Sequence, residues 1–380
     1  MIIGTTFLLI ALQVHADHAA HAPAASAIEK VAIAPEFFNP SLGQVAKIVY
    51  TTTDAGTVTV SILDRDGFPV RRLPPSVVEP GNHEAVWDGK DDRGSILPDE
   101  AYTPRLELAG AKGTALYDPR EGFHSVIEEP EGSVYSRLNG VLTYKLSRSC
   151  RVHSQAGQAK VNPKTGKQEG PILKTLVDRQ PRVGGSIVEK WNGFDESGKI
   201  YVPDLPNFGV SILATSLPAN TIITIGNPKA SFLQYAREHR PPSAQEPRAL
   251  QGEGHSHHAG MTTFEDHSPA LTLEASLPIT NGTLTHRAGA DLTLRATLDP
   301  NRAPYFLRQP NSLAVFLNET AVLTRAAPSH PAVLKIPGSK LRPGEYRLAV
   351  NWGSKLGPVA VQVFRLVVEP APPKSRGGQP

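Results

Sequence analysis

One turn occurs twice in this chain: Trp87-Asp-Gly-Lys-Asp-Asp-Arg-Gly94 aligns without a gap onto Trp191-Asn-Gly-Phe-Asp-Glu-Ser-Gly198. A signature repeated in register marks two copies of one folding unit. Its chemistry is that of a tight loop beside an apolar core. Gly supplies positive φ, Asp and Asn accept from nearby backbone N–H groups, and Trp brings a large apolar ring.

The flanking segments repeat as well. Lys47-Ile-Val-Tyr50 and Thr57 to Leu63 alternate with period two and are rich in β-branched residues, as strands are. Asp64-Arg-Asp-Gly67 is a hairpin-type turn, Pro80-Gly81 opens the next one, and Glu84-Ala-Val-Trp87 leads into the motif as a strand. In the second copy Leu142-Thr-Tyr144 echoes Ile48-Val-Tyr50, and Leu173-Lys-Thr-Leu176 echoes Val70-Arg-Arg-Leu73. A third stretch of strand patterning, from Leu271 to Val368, lacks the Trp motif. Its Leu341-Arg-Pro-Gly-Glu-Tyr346 suits a corner whose Tyr bonds back onto the loop. With 35 Pro and 32 Gly in 380 residues, the expected fold class is all-β: tandem Ig-like or fibronectin-III-like sandwiches joined by turns.

The expected organisation is a signal peptide at 1–16, a flexible leader at 17–30 and a first sandwich at 31–111. A linker at 112–133 and a second sandwich at 134–226 follow. A linker with a His-rich loop at 227–268, a third sandwich at 269–369 and a Pro/Gly-rich tail at 370–380 complete the chain. Within 227–268, Ala230 to His239 can form a short helix that Pro241-Pro242 ends. Residues Ile2 to Val14 are apolar but too short for a comfortable bilayer span, and Val14-His15-Ala16 fits a signal-peptidase site. The expected location is therefore the periplasm or the cell exterior. Net charge is only +3, from 39 Lys+Arg against 36 Asp+Glu, with no basic block, so no nucleic-acid partner is indicated.

Phe38-Asn-Pro40, Lys47-Ile-Val-Tyr50, Val58-Thr-Val-Ser-Ile62, Asp66-Gly67, Val70-Arg-Arg-Leu73, Pro80-Gly-Asn-His83 and Trp87-Asp-Gly89 through Gly94, Pro98 and Tyr102 together resemble a known pattern. It is that of the Ig-like domain of the flagellar hook-capping protein family, which recurs in bacterial secreted and surface proteins. The resemblance covers most of residues 31–110. The second block is similar more loosely, keeping Trp191, Gly193, Asp195 and Gly198, and carries an insertion from Ala156 to Gly170. The resemblance implies a sandwich fold and a scaffold or spacer role. It does not carry hook capping with it.

Two groups could hold a metal. Asp88, Asp91 and Asp92 are spaced as oxygen ligands on a Gly-containing loop, which can bind Ca²⁺. The second copy has Asn192 and Glu196 at two of these positions, so turn formation is the competing reading. His255, His257, His258 and His267 form the densest imidazole group, suited to Cu or Zn, in a Gly/Ser-rich segment that offers few fixing contacts. No other cofactor is indicated. Cys150, the single cysteine, reads as a small semi-buried residue, with intermolecular pairing as the alternative. Asn281 and Asn318 fit glycosylation sequons and are read as chance matches.

No Gly-x-Ser-x-Gly elbow, phosphate-binding Gly loop, His-Glu-x-x-His or haem-attachment motif is present. The sequence therefore points to a non-catalytic structural or interaction protein with a protein partner or an extracellular assembly. The alternative is a periplasmic Cu/Zn-handling protein using the His-rich segments.

Overall fold

A computed structural model describes residues 27–161, 163, 166, 168–240, 268–308, 310–354 and 359–371. The expected signal peptide and the His-rich segment lie outside them. The described residues form β-sandwiches in two compact units, one from those within 27–125 and 217–240 and one from those within 126–216 and 268–371.

The first unit opens with β1 (Ile28–Ala34), β2 (Phe37–Phe38), β3 (Ala46–Thr52), β4 (Gly56–Leu63), β5 (Pro69–Arg72), β6 (Ser76–Val78), β7 (Gly81–Trp87), β8 (Ala101–Gly110) and β9 (Gly113–Tyr117). The second supplies β10 (Ile127–Glu128), β11 (Glu131–Ser136), β12 (Val141–Leu146), β13 (Cys150–Gln158), β14 (Lys160–Val161), β15 (Gln168–Glu169), β16 (Ile172–Arg182), β17 (Gly185–Lys190) and β18 (Phe208–Ser216). The chain then returns to the first unit for β19 (Ile222–Thr224) and α1 (Phe232–His239). The second unit closes with β20 (Leu271–Ala275), β21 (Ile279–Thr280), β22 (Thr283–Arg287), β23 (Leu292–Leu298), α2 (Ala303–Leu307), β24 (Asn311–Leu317), β25 (Thr320–Ala326), β26 (Ala332–Ile336), β27 (Gly344–Ser354) and β28 (Val359–Glu369).

In the first unit a sheet ordered β1-β3-β7 packs on one ordered β2-β19-β8-β4-β5, with β6 added on β4 and β9 on β8. Period two decides the faces: Ala46, Ile48 and Tyr50 of β3 point into the core, while Lys47 and Val49 point out. Trp87, fully buried, meets Phe38 and Tyr102 edge to face at ring separations of 5.7 and 5.4 Å. In the second unit, β11-β12-β17 faces β10-β18-β13-β16, and β20-β23-β26 faces β21-β22-β28-β27-β24-β25. These two sandwiches share an apolar seam of Ala156, Leu173, Trp191 and Val202 against Phe316, Ala349 and Val363. Beside it the Asn351 side chain acts like a missing strand, with Oδ1 accepting from the Ile172 N–H at 2.8 Å and Nδ2 donating to the Ile172 carbonyl at 2.9 Å.

The segment boundaries differ from the sequence-based expectation at three places. The leader ends earlier, because Ile28 is buried and β1 pairs with β3 from Ile28 onward. Residues 112–133, expected as linker, hold β9, which pairs with β8, and β10, which pairs with β18. Residues 217–240 belong to the first unit: β19 lies between β2 and β8, and α1 buries Phe232 and Ala236, one turn apart on one face. No helix among the described residues is long and apolar enough to cross a membrane.

The residue that ends α1 closes the first unit. The Arg240 guanidinium donates to Asp66 at 2.9 Å and to Asp64 at 2.5 Å, all three side chains being almost fully buried. It also stacks on Phe68 at 4.3 Å, while Arg65 of the same hairpin stacks on Phe232 at 4.2 Å and pairs with Glu100 at 3.0 Å. Burial raises the Asp64 carboxyl above its ordinary range, against the pull of Arg240. Removing one partner of such a buried cluster strands the others. Arg240→Ala is therefore expected to destabilise the first unit by about 3–5 kcal/mol, read as a lower urea midpoint, while an Arg240→Ala/Asp64→Asn/Asp66→Asn combination regains part of the loss.

Cys150 opens β13 fully buried in the core of the second sandwich, with its thiol donating to the Arg148 carbonyl at 3.3 Å. Burial pushes the thiol up to about 11, so at neutral pH almost no thiolate exists to react. A thiol reagent is expected to leave Cys150 unmodified in the folded protein and to label it fully in denaturant. Stoichiometric native labelling would refute this placement.

Candidate functional site

The two Trp turns superpose in their bonding. The indole of Trp87 donates to the Lys90 carbonyl at 3.0 Å and that of Trp191 to the Phe194 carbonyl at 2.9 Å. Gly89 and Gly193 sit at φ +74° and +85°, the left-handed region that the chain needs to fold over the ring. The echoed strands connect identically: Asp92 N–H bonds the Val70 carbonyl, and Glu196 N–H bonds the Leu173 carbonyl, both at 2.9–3.1 Å. The copies differ in length beyond the aligned residues, since Lys90 bridges Ile96 but Phe194 bridges Tyr201.

The carboxylates read from sequence as either Ca²⁺ ligands or turn residues bond this backbone. Asp91 Oδ1 accepts from the N–H groups of Arg93 at 3.0 Å and Ser95 at 2.8 Å, Asp88 accepts from Lys90 N–H, and Asp92 accepts from Arg72 N–H. Asp195 repeats the role of Asp91 by accepting from the N–H groups of Lys199 and Ile200. Among the described residues no group of three His, Cys, Asp or Glu side chains is placed to hold one ion. His255, His257, His258 and His267 lie outside the described residues.

The corner at Tyr346 forms as its sequence suggests, with the phenol donating to the Arg342 carbonyl at 3.0 Å. Tyr102 makes the same i to i−4 bond to Pro98 at 2.8 Å, a corner not read from the sequence. Burial raises the Tyr102 phenol well above its ordinary range. The second sandwich replaces that ring with Phe208 against Trp191, and Tyr135 donates instead to the Trp191 carbonyl at 3.2 Å. Burial, with a hydrogen bond to Tyr201, pushes the Tyr135 phenol up to about 12. Asn281 and Asn318 both occupy left-handed turn positions, at φ +49° and +54°.

Two polar groupings had no sequence signal. One is the Asp64–Asp66–Arg240 cluster, whose members come from opposite sides of the inserted second sandwich. The other lies on β13 and β16, where His153 Nδ1 sits 3.3 Å from the Asp178 carboxylate. Ser268 joins it, donating to Asp178 through its N–H at 2.6 Å and its hydroxyl at 3.1 Å.

Residues 41–112 match the family model of the FlgD Ig-like domain. A search of curated proteins returns no match. Among solved structures, the fibronectin(III)-like modules of Clostridium thermocellum CbhA align over 92% of this chain and 100% of theirs, at 8% identity and a TM-score of 0.22. A 1.5-MDa bacterial ice-binding adhesin aligns over 92% and 99%, at 10% identity and a TM-score of 0.20. The FN1–FN3 domains of chicken CNTN1 align over 85% and 94%, at 11% identity and 0.18. The family match falls within the first sandwich, which is similar to the FlgD Ig-like domain in sequence and is built as an Ig-like sandwich.

Proposed function

We propose that this is an exported, non-catalytic structural or interaction protein, with its sandwiches acting as scaffold and as an adhesion or assembly surface. The carrying observation is where the polar groups of the repeated motif go. Their side chains bond their own loops, so the motif builds a rigid frame and leaves recognition to strands and surfaces. In the sheets, β7 is hydrogen-bonded to β3 on one side and β17 to β12 on one side. Both present an outward valine, Val86 and Val188. Exposed edges of this kind can take up a strand from another chain. The partner is then a protein or an extracellular assembly, met in the periplasm or outside the cell after cleavage behind Ala16. No cofactor is needed for this role.

A second reading, Cu/Zn handling by His255, His257, His258 and His267, has one observation in its favour. Ser268, which directly follows that segment, is tied to Asp178 beside His153. Simultaneous replacement of those four His by Ala should then remove the metal bound by that segment of the mature protein in a calorimetric titration.

The leading reading predicts that fractionation of producing cells recovers the chain outside the cytoplasm with Asp17 as its first residue. A photo-crosslinking residue at 86 or 188 should give discrete adducts in those cells, and the same residue at Leu138, 93% exposed in a loop, should not. A cytoplasmic chain that keeps Met1, or adducts equal at all three positions, would sink it.

A further inference from the structure

Strand β13 departs from the alternation seen in β3. Every residue from Cys150 to Ala156 is buried, so the face turned away from the sandwich core, carrying Arg151, His153 and Gln155, is covered too. His153 is only 6% exposed, and neither ring nitrogen has a hydrogen-bond partner among the described residues. Leaving such a group unsatisfied is costly, and an orphaned buried polar atom calls for an ion or a water. The Asp178 carboxylate stands 3.3 Å from Nδ1 but out of line for a hydrogen bond.

That separation has a chemical meaning. Two ligands held about 2.0–2.1 Å from a tetrahedral ion stand about 3.3 Å from each other. The carboxylate is also oriented as a ligand would be. Ser268 donates to it twice, and the Ser268 hydroxyl in turn accepts from Val359 N–H at 3.2 Å. Outer contacts of this sort fix the direction of a metal-binding carboxylate. Arg151, on the same strand face, donates a guanidinium N–H to the Arg179 carbonyl at 2.8 Å.

We propose that His153 and Asp178 form a binding site for a late first-row divalent ion such as Zn²⁺, with water completing the coordination shell. An imidazole and a carboxylate select that class over Ca²⁺ or Mg²⁺, which take oxygen ligands. The site uses residues of the second sandwich and none of the His-rich segment. It goes beyond the scaffold reading and stands apart from metal capture by His255, His257, His258 and His267. Bound to the folded chain alone, the ion would also stabilise it by mass action.

The test is titration of the full-length mature protein with Zn²⁺, followed by Co²⁺ as a spectroscopic probe. Four proteins are compared: wild type, His153→Gln, Asp178→Asn, and a variant with Ala at 255, 257, 258 and 267. Support is one equivalent of Zn²⁺ and a tetrahedral Co²⁺ spectrum in the wild type and in the four-alanine variant, lost in His153→Gln and weakened at least tenfold in Asp178→Asn. If His153→Gln does not fold, Asp178→Asn decides alone through the Co²⁺ spectrum. Retention of that equivalent by His153→Gln, its loss from the four-alanine variant, or the absence of stoichiometric binding in the wild type overturns the proposal.

Discussion

Burying a tryptophan in a sandwich this small requires an acceptor for its indole N–H. Both copies of the motif find one in the carbonyl three residues ahead. The rest of the loop follows from that bond. The chain must turn over the ring, which calls for Gly at φ +74° and +85°. The N–H groups freed by the turn need acceptors, which Asp91 and Asp195 provide. Strand pairing to Val70 and Leu173 is then set by the next residue in each copy. The aromatic neighbours vary around this frame, Phe38 and Tyr102 in one sandwich, Tyr135 and Phe208 in the other. The indole bond stays.

Charge is placed by a different logic. At the Asp64–Phe68 hairpin, Arg240 reaches two carboxylates while Arg65 and Arg240 each stack on an aromatic ring. Taking several charges out of water is costly, and the cost is offset only when every partner is present. The cluster therefore discriminates: α1 docks in one register, with Phe232, Ala236 and Arg240 on the buried face. An eight-residue helix is too short to hold itself together in water, so its docking is also what makes it a helix.

What could be read from sequence was whatever repeats or alternates. Period two in Lys47 to Tyr50 placed Ile48 and Tyr50 inside, and the duplicated Trp turn placed two sandwiches. The helix after Ala230 and the corner at Tyr346 were legible from local chemistry. The return of 217–240 to the first unit was not, because Ile222 to Thr224 is short and apolar and carries no mark of which strand it joins. Nor was the Arg240 cluster, whose partners lie 174 and 176 residues away. His153 gave no signal at all, since its setting depends on a face of β13 that alternation predicts to be wet. Asp88, Asp91 and Asp92 were open to two readings, Ca²⁺ ligands or turn residues, and spacing alone does not say which way their oxygens face.

The path of the chain through the first unit sets an order of events during synthesis. Strand β2 pairs in parallel with β19, and β8 pairs with β19 on its other side. Everything between β9 and β19 is a complete sandwich, whose first and last segments are tied together by mutual bonds of Val126 and Ser216. A chain emerging from its N-terminus can therefore close the inserted sandwich before the outer one. The outer sandwich waits, with one sheet position vacant and two carboxylates unmatched, until α1 arrives. Long-range closures of this kind are slow and leave strand edges open in the interval. Through that interval the open edges stay available to other chains, and the time to maturity is governed by the last module to close rather than the first to appear.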